Sequence, residues 1–245
     1  MTFLKYAFTL FPILAFAEFH KPSISTFSIV ARDSKTGELG VAVQSKFVAV
    51  GSVVPYARAG IGAIASQAWG NPRYGSVGLE LLASGKSALE AVDLMTSADP
   101  HRNSRQLAII GTDGNASIFT GQECMDWAGG KTGKNYAVQG NILTGSKVIE
   151  AMGEAFEDNN GTLAERMIAS LHAGQKAGGD KRGRQSAALL VVRQGWGYGG
   201  LTDRFRDLRV DDHPTPIKEL ERIYYIHRKI FPRPNQNLES KNVLK

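Results

Sequence analysis

A second cysteine is missing from this 245-residue sequence, so Cys124 has no partner within the chain and an internal disulfide is excluded. Cys124 stands beside Met125, Asp126 and Trp127 with no histidine close in sequence, the setting of a packed residue and not of a nucleophile. Paired metal ligands are missing too. His20, His101, His172, His213 and His227 are scattered, with no H-E-x-x-H pattern, and Asp211-Asp212-His213 fits the start of a helix after Pro214, so no metal is expected. Neither G-x-x-x-x-G-K-[ST] nor a strand-linked G-x-G-x-x-G occurs, which removes the phosphate-cradling loops and leaves no cofactor expected. Beyond the first residues no apolar run is long enough to span a bilayer. The net charge of +6 is spread along the chain, with one cluster at Lys176, Lys181, Arg182 and Arg184. No nucleic-acid motif surrounds that cluster, so a small-molecule ligand or substrate is the expected partner, with the positive charge favouring an anionic one, and not nucleic acid.

What remains is ordinary globular material: 42% hydrophobic residues, 27 glycines and 9 prolines suit one larger domain. Residues 1–17 stand apart. Lys5 gives a positive start, Tyr6 to Leu14 an apolar core, and Ala15-Phe16-Ala17 a small-x-small cleavage site. A secretory signal cleaved before Glu18 is expected, with the mature protein secreted or periplasmic and off the membrane. Residues 18–25, with Pro22, read as a linker or propeptide, residues 26–231 as the domain, and residues 232–245 as a loose tail.

The domain opens on a hairpin, Thr26 to Asp33 and Glu38 to Lys46 around a turn holding Gly37, and both strands are too apolar for a one-sided solvated sheet. Ala59 to Ser66 reads as another buried strand, and Gln67 to Gly75 as a loop whose Trp69, Asn71 and Arg73 suit ligand contact. Two helices follow, Val77 to Ser84 and one opened by the Ser87-x-x-Glu90 capping box. Gln106 to Gly111 and Ala116 to Phe119 flank the Asp113-Gly114 turn, and Gly121 to Asn135 reads as a loop before the strand Tyr136 to Gln139. A second helical pair covers Lys147 to Glu157 and the segment opened by Thr162-x-x-Glu165. Strands Ser186 to Val192 and Phe205 to Asp211 come next, then a last helix from Thr215-Pro216 that stops before Pro232.

The strings T-F-S-I-V-A-R-D, G-E-L-G-V-A-V-Q-S and A-V-G-S-V-V-P-Y-A-R-A-G-I-G-A-I-A-S-Q-A-W closely resemble the family of unknown function 1028, which is assigned to the N-terminal nucleophile (Ntn) hydrolase-like fold. The resemblance implies an α+β protein: a four-layer αββα sandwich of two mainly antiparallel sheets between helical layers, the architecture of proteasome subunits. It also implies that Thr26 is the nucleophile of an amide hydrolase, with its own freed α-amine as base. Lys46 and Arg58 fall where such enzymes carry basic residues, although Arg58 replaces a lysine and Gln44 an aspartate. Asn141, with Gly140, is a candidate oxyanion donor. Asp180 and Arg182 are candidates for orienting the amine or binding an anionic substrate. A catalytically silent scaffold that binds a small ligand, or assembles as a homo-oligomer, is the competing expectation. The hydrolase needs a cut between Ser25 and Thr26, by self-processing or by another protease, because an amide nitrogen has no lone pair to act as base.

Overall fold

A computed structural model describes residues 26–234. The expected signal, linker and residues 235–245 of the expected tail lie outside the described residues. Strand β1 (Thr26–Arg32) and strand β2 (Leu39–Ser45) form the central hairpin. Their turn is built by Asp33, whose Oδ1 accepts the amides of Lys35 and Thr36 at 2.8 and 3.0 Å, and by Gly37 at φ +73°, where any side chain would strain the backbone.

The fold is α+β, with two antiparallel sheets and five α-helices among the described residues. A four-stranded sheet holds β3 (Pro55–Arg58), β4 (Gly62–Ala68), β5 (Arg105–Gly111) and β6 (Ala116–Thr120) in that order. The six-stranded sheet adds β7 (Gly129–Gly133), β8 (Tyr136–Asn141), β9 (Ser186–Val192) and β10 (Arg204–Val210) to the hairpin, in the order β10-β9-β2-β1-β8-β7. Every residue of β2, β5, β8 and β9 is buried, which the predominantly apolar character of these strands foreshadows.

Side-chain alternation sorts the core. Val30, Val41, Val43 and Leu190 of the larger sheet meet Ala63, Ala65, Ala108 and Ile110 of the smaller. The opposite face of the larger sheet, through Phe27, Ile29, Val138 and Leu189, packs on α3 (Lys147–Asp158), α4 (Leu163–Lys176) and α5 (Pro216–Ile230). Ile64, Leu107 and Ile109 of the smaller sheet pack on α1 (Arg73–Ala83) and α2 (Ala88–Ser97). Burying each large apolar side chain in these clusters stabilises by about 1.5–3 kcal/mol. Both expected capping boxes form, with Ser87 and Thr162 accepting the amides of Glu90 and Glu165.

Three boundaries differ from expectation. The segment Gly121 to Asn135 contains β7, a strand whose Gly-Gly-Lys-Thr-Gly composition hides it and which is held by backbone pairing to β8. Helix α1 begins at Arg73, four residues early, because Pro72 already has helical φ and ψ. Strand β4 runs on through Gln67 and Ala68, so the expected loop is only a short corner between β4 and α1.

Candidate functional site

Thr26 begins a strand that is paired on both sides: its Cα partners are Ser45 on β2 and Asn141 on β8. Since Phe27 and Ile29 face the helices, alternation turns Thr26, Ser28 and Val30 toward the smaller sheet. The Thr26 hydroxyl is wholly buried and lies 3.1 Å from the Ser45 hydroxyl, while its carbonyl accepts from Gln67 Nε2 at 3.3 Å.

Behind Thr26 an uncharged polar network joins the sheets. Ser28 donates to Gln67 Oε1 at 2.6 Å, and Gln67 Nε2 also donates to Gln106 Oε1 at 2.8 Å. Gln106 Oε1 accepts in addition from Asn141 Nδ2 at 3.0 Å, and Gln106 Nε2 reaches the Gly140 carbonyl at 2.8 Å. Gln139 Nε2 donates to the Ala65 carbonyl at 3.0 Å. Buried amides are costly unless paired, so these bonds fix how the two sheets meet at this end.

A charged pair borders the same end. Asp180, 3% exposed, accepts the Lys46 amide at 3.1 Å, the Arg182 amide at 2.8 Å and Arg182 Nη2 at 3.2 Å. Arg182 Nη2 also approaches the Lys46 carbonyl at 3.4 Å, so the glycine loop is tied to the end of β2 directly after Ser45. The Lys46 residue itself is exposed. Thr26, Lys46, Asn141, Asp180 and Arg182 are thus gathered at one end of the sheets.

Residues 26–220 match the family of unknown function DUF1028. The chain belongs to this family. A crystal structure of a DUF1028 protein from Silicibacter pomeroyi is 36% identical to it, with 83% of this chain and 86% of that one covered and a TM-score of 0.77. The ancestral beta-subunit Anbu from Yersinia bercovieri aligns at 12% identity over 86% of this chain and 100% of that one, with a TM-score of 0.37. No curated protein matches the chain.

In this DUF1028 chain Arg58 does not join Thr26, which corrects the expectation from the resemblance. It pairs with Gly62 at the far end of the β3–β4 hairpin, five residues from Gln67 and so about 17 Å along the strand. There its guanidinium meets Glu80 of α1 at 2.5 Å, a half-exposed cation finding a solvated carboxylate instead of facing a buried uncharged site. Gln44 also lies apart: it follows Ala42 onto the helix-facing side of β2, opposite Thr26.

The corner after β4 is divided between two cavities. Trp69 lines a small one of about 150 Å³ with Phe47, Val54 and Gln67, next to the Thr26 network. Asn71 and Arg73 line another of about 420 Å³ between α1 and α2, with Tyr74, Leu94 and Asp99. Asp99 accepts from the His101 amide, Arg105 Nε, Asn71 Nδ2 and the Tyr74 hydroxyl, at 2.8, 3.0, 3.1 and 2.9 Å. Burial opposes its charge, but these donors hold its carboxyl well below the usual range, and burial together with Asp99 pushes the Tyr74 hydroxyl up.

Ser45, Gln67, Gln106 and Gln139 are not among the site residues expected from the sequence. Their signal was present: glutamines inside otherwise apolar strands must find buried partners, and counting back from the Gly37 turn sets Ser45 opposite Thr26. Among the described residues there is no cluster of metal-ligating side chains, and no helix is long and apolar enough to cross a membrane.

Proposed function

We propose that this protein is an exported Ntn-type hydrolase of a small amide, with the four-layer αββα arrangement of that class and Thr26 as nucleophile once the chain is cut before it. The observation that carries the reading is the setting of Thr26. It opens the central strand, its hydroxyl turns between the sheets toward Ser45, and the family match begins at this residue. In the proposed reaction the freed Thr26 amine, with an ordinary pKa of about 7.7–8.0, takes the hydroxyl proton as Oγ attacks the amide carbon. The C–N bond breaks, the leaving amine takes that proton, and water then hydrolyses the Thr26 ester. Asn141, across the ladder from Thr26, is assigned to the oxyanion, with its orientation set by Gln106. Asp180 and Arg182 hold the loop after Ser45. The cavity of about 150 Å³ beside Gln67, walled by Phe47, Val54 and Trp69, favours substrates with a small apolar group. Export rests on the leader read in residues 1–17.

Thr26→Val keeps the side chain's shape and removes its hydroxyl. In protein beginning at Thr26 it should abolish hydrolysis of a panel of small chromogenic amides while costing about 1 kcal/mol in urea denaturation, the worth of one neutral hydrogen bond. Turnover that survives the change would remove Thr26 from the chemistry. A second reading, a catalytically silent scaffold that binds a small ligand or assembles as an oligomer, is favoured by one observation: Arg58 is engaged by Glu80, away from the Thr26 hydroxyl.

A further inference from the structure

At the other end of β1, six residues and so about 20 Å from Thr26, a cavity of about 550 Å³ opens between the hairpin turn and the start of α4. Five cationic side chains line it against three carboxylates. Two of the cations, Arg228 and Arg233, are paired with Glu165 and Glu38. The other two guanidinium groups are held by neutral partners. Arg32 Nη1 donates to Asn135 Oδ1 at 3.2 Å. Arg166 Nε donates to the Phe156 carbonyl at 3.1 Å, and its guanidinium carbon lies 3.9 Å from the centre of the Phe156 ring. Among the described residues neither has a carboxylate within ion-pair distance; burial disfavours the charge of Arg166, and nearby Asp33 offsets this only in part.

The lining carboxylates are already engaged within the fold. Asp33 holds the amides of its own turn, Glu157 accepts from the Tyr136 hydroxyl at 2.7 Å, and Glu165 caps α4 at Thr162 besides pairing with Arg228. Arg206, 2% exposed and with no partner for Nε among the described residues, has its charge disfavoured chiefly by burial, with Tyr224 and Glu38 favouring it and Arg233 and Arg228 adding repulsion. Guanidinium groups stacked or hydrogen-bonded by neutral groups keep their remaining N–H donors in fixed planes, the geometry that grips a planar carboxylate or a phosphate face.

We propose that this cavity is a binding site for a small, multiply charged oxyanion, gripped by Arg32 and Arg166 and separate from the Thr26 end. The anion is either a phosphate or a compact polycarboxylate. Isothermal titration of the full chain with inorganic phosphate and with citrate, at ionic strength matched by sodium chloride, tests it. Saturable binding of one anion or both is expected, and which one binds identifies the group recognised. Arg32→Gln and Arg166→Gln should each weaken it about tenfold or more, the loss of a charge-assisted contact, while Arg204→Gln, at an exposed position that opens β10 and does not line this cavity, should not. If Arg166→Gln fails to fold because its stacking on Phe156 is lost, Arg32→Gln decides alone. No saturable binding of either anion, or binding undiminished in Arg32→Gln, or equally diminished in Arg204→Gln, would overturn the proposal.

Discussion

Gln44 and Ser45 are neighbours in sequence and face opposite sides of one sheet, and that single step in alternation separates a cost from a contact. Ser45 meets the Thr26 hydroxyl, whereas both amide atoms of Gln44 are buried with no hydrogen-bond partner among the described residues. A buried polar group left in that state destabilises by about 1–3 kcal/mol, so Gln44→Met, similar in volume, should raise stability by about 1–2 kcal/mol. Urea denaturation measures it, and a variant less stable than the parent would mean that the amide is paired in solution. By the resemblance, Gln44 stands where Ntn enzymes commonly carry an aspartate. Register, which fixes facing, shows instead that Gln44 turns its back on Thr26.

At the scale of elements, the corner joining β4 to α1 and the close seat of α1 on β3 set the shape of both nearby cavities. A Cβ on Gly75 would lie 2.1 Å from the Tyr56 ring, so Gly75→Ala should lose by overpacking more than the roughly 1 kcal/mol that helix propensity returns, and its melting temperature should fall. An unchanged or higher melting temperature would show that Tyr56 yields freely. Asp99 ties α1, the end of α2 and β5 together through Tyr74, Asn71 and Arg105. Its folded pKa lies below the unfolded value of about 3.9, so its contribution is complete above about pH 4 and is lost as pH falls further toward the folded value. Asp99→Asn should therefore cost about 3 kcal/mol at pH 7 and progressively less below pH 4, and a stability difference independent of pH would contradict this. Much of this level was legible in advance: the two capping boxes, the Asp113-Gly114 turn and the apolar strands each carry a local physical cause. Strand β7 and the early start of α1 were not, because Gly129 to Gly133 owes its strand to pairing with β8, and α1 starts at Arg73 through the helical φ and ψ of Pro72, ahead of any apolar periodicity.

For the whole molecule, the order of strands, helix pair, strands, helix pair, strands and helix was readable from periodicity, and the match over residues 26–220 assigns the family. The candidate site was legible only in part. Thr26, Asn141, Asp180 and Arg182 come together through sheet pairing and a glycine loop, while the glutamine network appears only when two sheets are brought face to face. Strand register sets Arg58 opposite Gly62, away from Thr26, where it meets Glu80. The proposed chemistry then depends on one covalent fact, whether the Thr26 nitrogen is an amine or an amide. Turnover of a small amide by two otherwise identical proteins, one beginning at Thr26 and one retaining Ser25, tests that most directly. The account predicts hydrolysis by the first and none by the second; equal rates in both, or no turnover in either, would contradict it.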